Sequence, residues 1–179
     1  RLFLKVYNKG NEFIMICIGT AGYSYEDWVG PFYPEGTKSS QMLEYYASCF
    51  NFVEINSTYY HMPGLRLFDS LNRKTSNDFK LSVKLFKGFT HEGTGSREEA
   101  KKFIFSLEPV IKSNKLMCIL AQFPYSFNYR PENMDLIKML REWFPEIDLS
   151  VEFRNHNWIR HEGMQLLKSE NLGFVCVDG

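Results

Sequence analysis

The sequence lacks an excess of charge of either sign. Its 179 residues contain 21 basic and 21 acidic side chains, which cancel to a formal net charge of zero at pH 7. A protein that grips nucleic acid over a wide surface usually carries a basic excess, so the balance argues against broad duplex binding. A small local site for an anion stays compatible with this composition.

Long apolar runs and paired cysteines are also missing. No stretch approaches the roughly 20 apolar residues needed to span a bilayer, and no segment resembles a signal peptide. The 4 cysteines form no CxxC pair. Three of them lie in apolar, strand-like runs, where a buried reduced thiol is the usual state. We therefore expect a cytoplasmic protein without a membrane partner.

The first clean strand opens at Met15. Residues 1–14 are interpreted as an extension or a remnant of expression, or as an extra hairpin turned at residues 8–11. At the other end the chain stops at the tip of a strand-like run, whose exposed face would have nothing to cover it. The expected organisation is an extension over 1–14 and one domain over 15–179, with a further C-terminal part missing.

Six short runs are typical of strands, and segments of helical period separate them. The predicted strands are Ile14–Gly19, Phe52–Asn56, Lys80–Lys84, Met117–Gln122, Asp148–Arg154 and Phe174–Asp178. Apolar stripes spaced three and four residues apart mark the helices between them. Ser96 and Glu99 have the spacing of a capping box, Pro145 should end its helix, and Pro109 should bend or shorten the helix that contains it.

Regular alternation of strand and helix predicts repeated βαβ units and a parallel sheet. An open doubly wound sheet and a closed barrel both fit this pattern. The segment after the first strand contains no GxGxxG, which argues against a dinucleotide-binding sheet. Polar residues end almost every strand, and a barrel brings all strand ends to one mouth. We therefore predict a TIM-barrel-like parallel (β/α) barrel, with about six of its strands in this chain.

The polar residues at the strand ends form the candidate site. Side chains two apart on a strand share a face, so Glu54 pairs with Asn56, and Glu152 with Arg154. An inward-facing charge must be paired or solvated, which clustering around one mouth provides. An ion-pair lattice that only fills the barrel end is the structural alternative. The full set is Glu54, Asn56, Lys84, Gln122, Glu152, Arg154 and Asp178.

Loops after the first three strands add aromatic residues and a histidine. The first loop carries Tyr23 and Trp28, and the second carries Tyr59. Such residues could stack on a sugar or a base, or could form the loop's own small core. His91 follows Lys84 by seven residues, close enough to reach the mouth.

These strand-end motifs resemble the DUF72 (YecE-like) family from about Met15 to the last residue. The resemblance implies a TIM-barrel-like fold with a further C-terminal stretch, and it leaves the activity open. Tyr23 and Tyr60 depart from the expected pattern without disturbing the charged positions. The matching segments are Ile16–Tyr25, Trp28, Phe32–Pro34, Val53–Tyr60, Ser82–Lys84, Thr90–His91, Gln122–Pro124, Val151–Arg154, Trp158 and Val177–Asp178.

Three functions fit this pattern. The favoured one is an enzyme that acts on an anionic or polyhydroxylated small molecule. Its catalytic acid–base residues would be Glu54, Glu152, Asp178 and His91, and its ligand-binding residues Asn56, Lys84, Gln122, Arg154, Tyr23, Trp28 and Tyr59. The sequence requires no cofactor.

A metal-dependent barrel of the sugar-isomerase or endonuclease IV kind is the second hypothesis, since the three acids and His91 offer ligands for a divalent metal. Metal sites of this kind generally use more histidines or a denser cluster of carboxylates. A nucleotide- or nucleic-acid-binding protein without chemistry is the third.

Overall fold

The computed structural model of the chain describes residues 5–9 and 12–177. Their strands are β1 (Lys5–Lys9), β2 (Glu12–Cys17), β3 (Gly19–Ala21), β4 (Phe52–Ile55), β5 (Lys80–Lys84), β6 (Leu116–Phe123), β7 (Leu149–Phe153) and β8 (Gly173–Phe174). Their α-helices are α1 (Ser39–Cys49), α2 (Ser57–Tyr60), α3 (Leu65–Lys74), α4 (Lys87–Thr90), α5 (Arg97–Lys112), α6 (Pro131–Trp143) and α7 (His161–Ser169). None of these helices is long and apolar enough to cross a membrane.

Strands β3 to β8 form one parallel sheet in which each strand pairs with the next along the chain. The predicted α/β alternation is therefore confirmed. A doubly wound sheet reverses its strand order at a switch point, and no such reversal occurs in the order β3-β4-β5-β6-β7-β8. Within the described residues β3 and β8 do not pair with each other, so these six strands do not form a closed barrel.

The helices cover one face of this sheet. Alternate strand residues join a single apolar core with Met42 and Tyr46 of α1, Phe103 of α5 and Leu140 of α6. The strand members of this core are Val53, Ile55, Leu81, Val83, Ile119, Ala121, Phe123, Leu149, Val151 and Phe153. Because neighbouring side chains on a strand point to opposite faces, the residues between them lie on the other face.

The opposite face carries buried polar side chains. Glu54 lies opposite Ser82 in the β4–β5 register, and Gln122 lies opposite Glu152 in the β6–β7 register. All four are buried. A polar group removed from water is costly without a hydrogen-bond partner, so each of these four side chains needs one.

The prediction that Ile14–Gly19 forms the first strand of the parallel sheet is wrong. β2 pairs antiparallel with β1, which agrees with the hairpin interpretation, although the turn residues 10–11 lie outside the described part. The parallel sheet instead begins at β3. Ile18 lies between β2 and β3 and belongs to neither strand. Its N–H donates to Asn51 Oδ1 (2.8 Å), and Asn51 Nδ2 donates to the carbonyl of Ile16 (3.0 Å).

Strand β3 is held by contacts distant in sequence. The hydroxyl of Tyr46 accepts the N–H of Thr20 (2.7 Å) and donates to the carbonyl of Phe52 (2.9 Å). A Cβ atom on Gly19 would lie 1.8 Å from that carbonyl oxygen, so only glycine fits there. The local sequence of β3 contains no apolar alternation that would have indicated a strand.

Most of the helix signals are confirmed. The N–H of Glu99 donates to Ser96 Oγ (3.2 Å) at the start of α5, and α6 ends at Trp143, before Pro145. Of the two effects predicted for Pro109, shortening of the helix is wrong, because α5 continues through it to Lys112, and bending stays a prediction. At the other end of the chain β8 has only two residues, and the predicted strand end, Asp178, lies outside the described residues.

A buried lysine ties α3 to the start of β6. Lys115 is 1% exposed, and its Nζ donates to the carbonyls of Asn72 (2.7 Å) and Thr75 (3.0 Å) and to the Thr75 hydroxyl (3.1 Å). A cation at a helix C-terminus satisfies its last carbonyls and complements its dipole. Burial, followed by the charge of Lys80, lowers the pKa of Lys115.

We expect Lys115→Met to lower the free energy of unfolding by about 1–3 kcal/mol, because the partly buried helix-end carbonyls lose their donor. Urea denaturation followed by circular dichroism measures the change. Lys101→Met is the control, since Lys101 lies on the exposed surface of α5 and forms only a surface ion pair with Glu98. Equal stability of the two variants would contradict the capping role.

Candidate active site at the carboxyl ends of the strands

Four of the predicted residues form one continuous chain of contacts across β5, β6 and β7. Lys84 Nζ donates to Gln122 Oε1. The same amide donates through Nε2 to Glu152 Oε1 (2.5 Å), and the Nε of Arg154 lies 3.0 Å from that carboxylate oxygen. The Gln122 amide therefore links the Lys84 ammonium to a carboxylate that also pairs directly with Arg154.

This series of side-chain contacts runs from the interior to the surface. Glu152 is fully buried, whereas the side chain of Arg154 is 45% exposed. An isolated carboxylate removed from water costs several kcal/mol, so it requires close compensation by opposite charge and hydrogen-bond donors. Gln122 and Arg154 provide this compensation, and the outer part of the guanidinium remains accessible to a ligand.

Hydrogen bonds and aromatic packing in the neighbouring residues fix the backbone at Arg154. The N–H of Arg154 donates to the carbonyl of Phe123 (3.2 Å). In the next turn Asn155 Nδ2 donates to the carbonyl of Tyr125 (2.6 Å). The ring of Trp158 stacks on Phe153, with centroids 4.4 Å apart and planes within 3°, and its Nε1 donates to the carbonyl of Phe127 (2.7 Å). Two loops are thereby locked together around the arginine.

Lys84 also contacts an aromatic residue from the neighbouring loop. Its Nζ lies 4.7 Å from the centroid of the Tyr59 ring, a cation–π distance. Tyr59 lies in the short helix α2 directly after β4, and the adjacent Thr58 hydroxyl donates to the carbonyl of Lys84 (2.5 Å). The loop after β4 thus anchors the end of β5.

His91 completes this side of the site. Its ring packs edge-on against Tyr59, with centroids 5.0 Å apart, and its Nδ1 lies 2.8 Å from the Thr90 hydroxyl. Burial, together with the positive charge of Lys84, lowers the pKa of His91, although Glu92 acts in the opposite direction. The neutral form of the imidazole, which can accept a proton, is therefore favoured.

Glu54 and Asn56 lie on the other side of Lys84. Glu54 is buried in β4, one strand from β5, and Asn56 directly follows β4. The carboxylates of Glu54 and Glu152 thus come from β4 and β7, with β5 and β6 between them.

The predicted aromatic residues of the first loop pack mainly against one another. Trp28 contacts the rings of Tyr25 and Phe32, at centroid distances of 5.0 and 5.6 Å. The hydroxyl of Tyr33 donates to the carbonyl of Tyr23 (2.5 Å), and burial raises the pKa of Tyr33 to about 12. The loop has a small core of its own, as the structural alternative predicted, and ligand stacking by Tyr23 and Trp28 stays a prediction.

Asp178 lies outside the described residues, so its predicted catalytic role stays a prediction. Within 5–9 and 12–177, no group of three or more His, Cys, Asp or Glu side chains is arranged to hold a metal ion. Ser82 was not among the predicted site residues, yet it is buried on the site face of β5. Its spacing of two from Lys84 was the signal available in the sequence.

A family model described as "Protein of unknown function DUF72" matches residues 17–179. The chain belongs to the DUF72 family. This DUF72 chain is 33% identical over 150 residues to the UPF0759 protein YunF of Bacillus subtilis, a match that covers 80% of the chain and 52% of YunF. It therefore spans about half the length of that curated relative.

Two solved DUF72 structures resemble this chain. The Thermotoga maritima protein TM1631 superposes with a TM-score of 0.80 at 41% identity, covering 89% of this chain and 64% of that one. The Enterococcus faecalis protein EF0366 gives a TM-score of 0.72 at 27% identity, covering 79% and 61%. These likenesses establish the family and its α/β fold.

We expect the pKa of His91 to rise when Lys84 is replaced by Met, because one of its two causes of depression is removed. It should not return to the ordinary value, since burial is the larger cause. A titration of the histidine ring signals by NMR measures both values, with Lys101→Met as a distant control. An unchanged His91 pKa in Lys84→Met would contradict the proximity of the two groups.

The same depressed pKa sets a pH dependence of stability. Below pH 6.5 the unfolded chain binds a proton at His91 more readily than the folded chain does, so the free energy of unfolding should fall as pH drops from 6.5 to the folded-state pKa. In His91→Gln this contribution disappears. Urea midpoints between pH 7.5 and 5 compare the two proteins, and parallel curves would rule the contribution out.

Proposed function

We propose that this DUF72 protein is an enzyme that acts on an anionic or polyhydroxylated small molecule by general acid–base chemistry. The contact chain Lys84–Gln122–Glu152–Arg154 carries this proposal. If these residues only filled space on this face of the sheet, apolar side chains could do so without the cost of burying an ion. A buried carboxylate between two cations at the carboxyl ends of parallel strands is instead typical of a catalytic site.

The proposal includes a barrel as the complete fold. In a (β/α) barrel the strands pair in sequential order, and the helices cover one face of the sheet. The six-stranded sheet has both properties. A full barrel has roughly 200 residues or more. In that geometry the polar face lines the interior, and the strand ends converge on one opening.

The anion would bind at the cationic part of the site. Arg154 contacts Glu152 and extends to the surface, and an arginine fork suits a phosphate or carboxylate. Lys84 adds a second positive charge from the other side of Gln122. The negatively charged group of a ligand would lie between the Lys84 ammonium and the Arg154 guanidinium.

We propose acid–base roles for the ionisable residues of the candidate site. Glu152 is the proposed proton acceptor, with Glu54 and Asp178 as further carboxylates, and neutral His91 could exchange a proton on the Lys84 side. Gln122 and Asn56 would orient ligand hydroxyls. The aromatic residues Tyr23, Trp28 and Tyr59 would border the opening, and no step requires a cofactor.

We propose a cytoplasmic location. Cys17 and Cys118 are buried in strands β2 and β6, where a reduced thiol is the usual state. Reduced thiols are typical of the cytosol.

The test is a turnover screen followed by one substitution. Purified protein is incubated with sugar phosphates, sugar acids and nitrophenyl glycosides, and product is followed by NMR. For a compound that is converted, Glu152→Gln should lower kcat by about 10²–10⁴ while leaving the dissociation constant within tenfold, because a positioned proton-transfer group is lost.

Glu108→Gln is the matched control, since Glu108 lies on the outer surface of α5 in an ion pair with Lys112 (2.5 Å). It should leave turnover unchanged. Undiminished turnover in Glu152→Gln, with the same circular dichroism spectrum, would remove Glu152 from the mechanism. Elemental analysis of the active protein separates the metal-dependent alternative, which stoichiometric zinc or manganese would favour.

A further inference from the structure

Two buried polar atoms beside the cationic part of the site have no hydrogen-bond partner among the described residues. They are Ser82 Oγ and Asn56 Oδ1. Ser82 is only 4% exposed. A buried polar group without a partner is destabilising, and such groups are infrequent in folded proteins. Their position next to a proposed ligand site gives them a shared explanation.

Both residues belong to the β4–β5 side of that site. Ser82 lies opposite Glu54 in the register and precedes Lys84 by two residues, so its side chain is on the same face of the sheet as these two. Asn56 follows β4 at the carboxyl end, and its side chain makes no capping hydrogen bond to α2. The two oxygens therefore serve neither the helix cap nor the sheet.

We propose that Ser82 and Asn56 bind ligand hydroxyls, and that the ligand is a polyol bearing a phosphate or carboxylate group. A hydroxyl both donates and accepts a hydrogen bond, which suits the serine hydroxyl and the amide oxygen alike. The anionic group binds at Arg154 and Lys84. This inference rests on the proposed function, because it assigns the hydroxyl-bearing part of the ligand to Ser82 and Asn56, beside the proposed anion site.

The serine at position 82 is then a specificity residue. A site built to hydrogen-bond a hydroxyl rejects an analogue that lacks it, because the buried protein group is left unpaired. An anion without hydroxyls would keep its contacts to Arg154 and lose those to Ser82. The difference in affinity between such matched anions measures the hydroxyl contacts alone.

Matched pairs of probes make this measurable by isothermal titration calorimetry. Glycerol 3-phosphate and ribose 5-phosphate are compared with n-propyl phosphate, and glycerate and ribonate with propionate. We expect at least one polyol anion to bind about tenfold or more tightly than its hydroxyl-free counterpart, as one good hydrogen bond provides. The phosphate and carboxylate series show which anionic group the site accepts.

Substitutions assign the preference to residues. Ser82→Ala should reduce the polyol preference about tenfold and leave binding of the hydroxyl-free anion unchanged. Arg154→Gln should weaken both members of a pair to the same extent and preserve their ratio. Ser106→Ala is the control, because Ser106 is equally buried in α5 but donates to the carbonyl of Phe103 (2.6 Å), away from the site.

Stability gives an independent readout. Since Ser82 Oγ has no partner among the described residues, Ser82→Ala should leave the thermal midpoint unchanged or raise it, whereas Ser106→Ala should lower it. Equal binding of polyol and hydroxyl-free anions by the unsubstituted protein would overturn the inference and leave the anion site standing. If no anion of either series binds, the proposed function fails together with it.

Discussion

The burial of the Glu152 carboxylate is the constraint on which the rest of the site depends. An ion fully removed from water is tolerated only when donors meet it at hydrogen-bond distance. That requirement places Gln122 directly across the β6–β7 register and Arg154 immediately after strand β7. Gln122 in turn reaches Lys84, so one buried charge organises the ends of three strands.

Much of the fold could be predicted from the sequence because its sheet alternates strictly with helices. The limits of β5 were predicted to the residue, and those of β4 to within one, since both strands combine alternating side chains with clear breaks. β3 was missed because nothing in its three residues indicates a strand. Its hydrogen bonds come from Tyr46 and from β4, contacts that no local pattern encodes.

The candidate site was predictable where strand alternation applied. Glu152, Arg154, Lys84 and Gln122 stand at strand ends in the sequence, and the parallel sheet brings such ends to one edge. The contact of Tyr59 with both Lys84 and His91 was not derivable, because it depends on two short helices in different loops. The packing of Trp28 within its own loop likewise depends on tertiary structure.

The amide of Gln122 has an orientation that its two neighbours impose. It turns its oxygen toward an ammonium group and its nitrogen toward a carboxylate, and rotating it by half a turn would make both contacts repulsive. A change of charge at position 84 therefore alters which side chains are tolerated at position 152, although those residues lie on different strands. Across related proteins, positions 84, 122 and 152 should vary as a set and not one at a time.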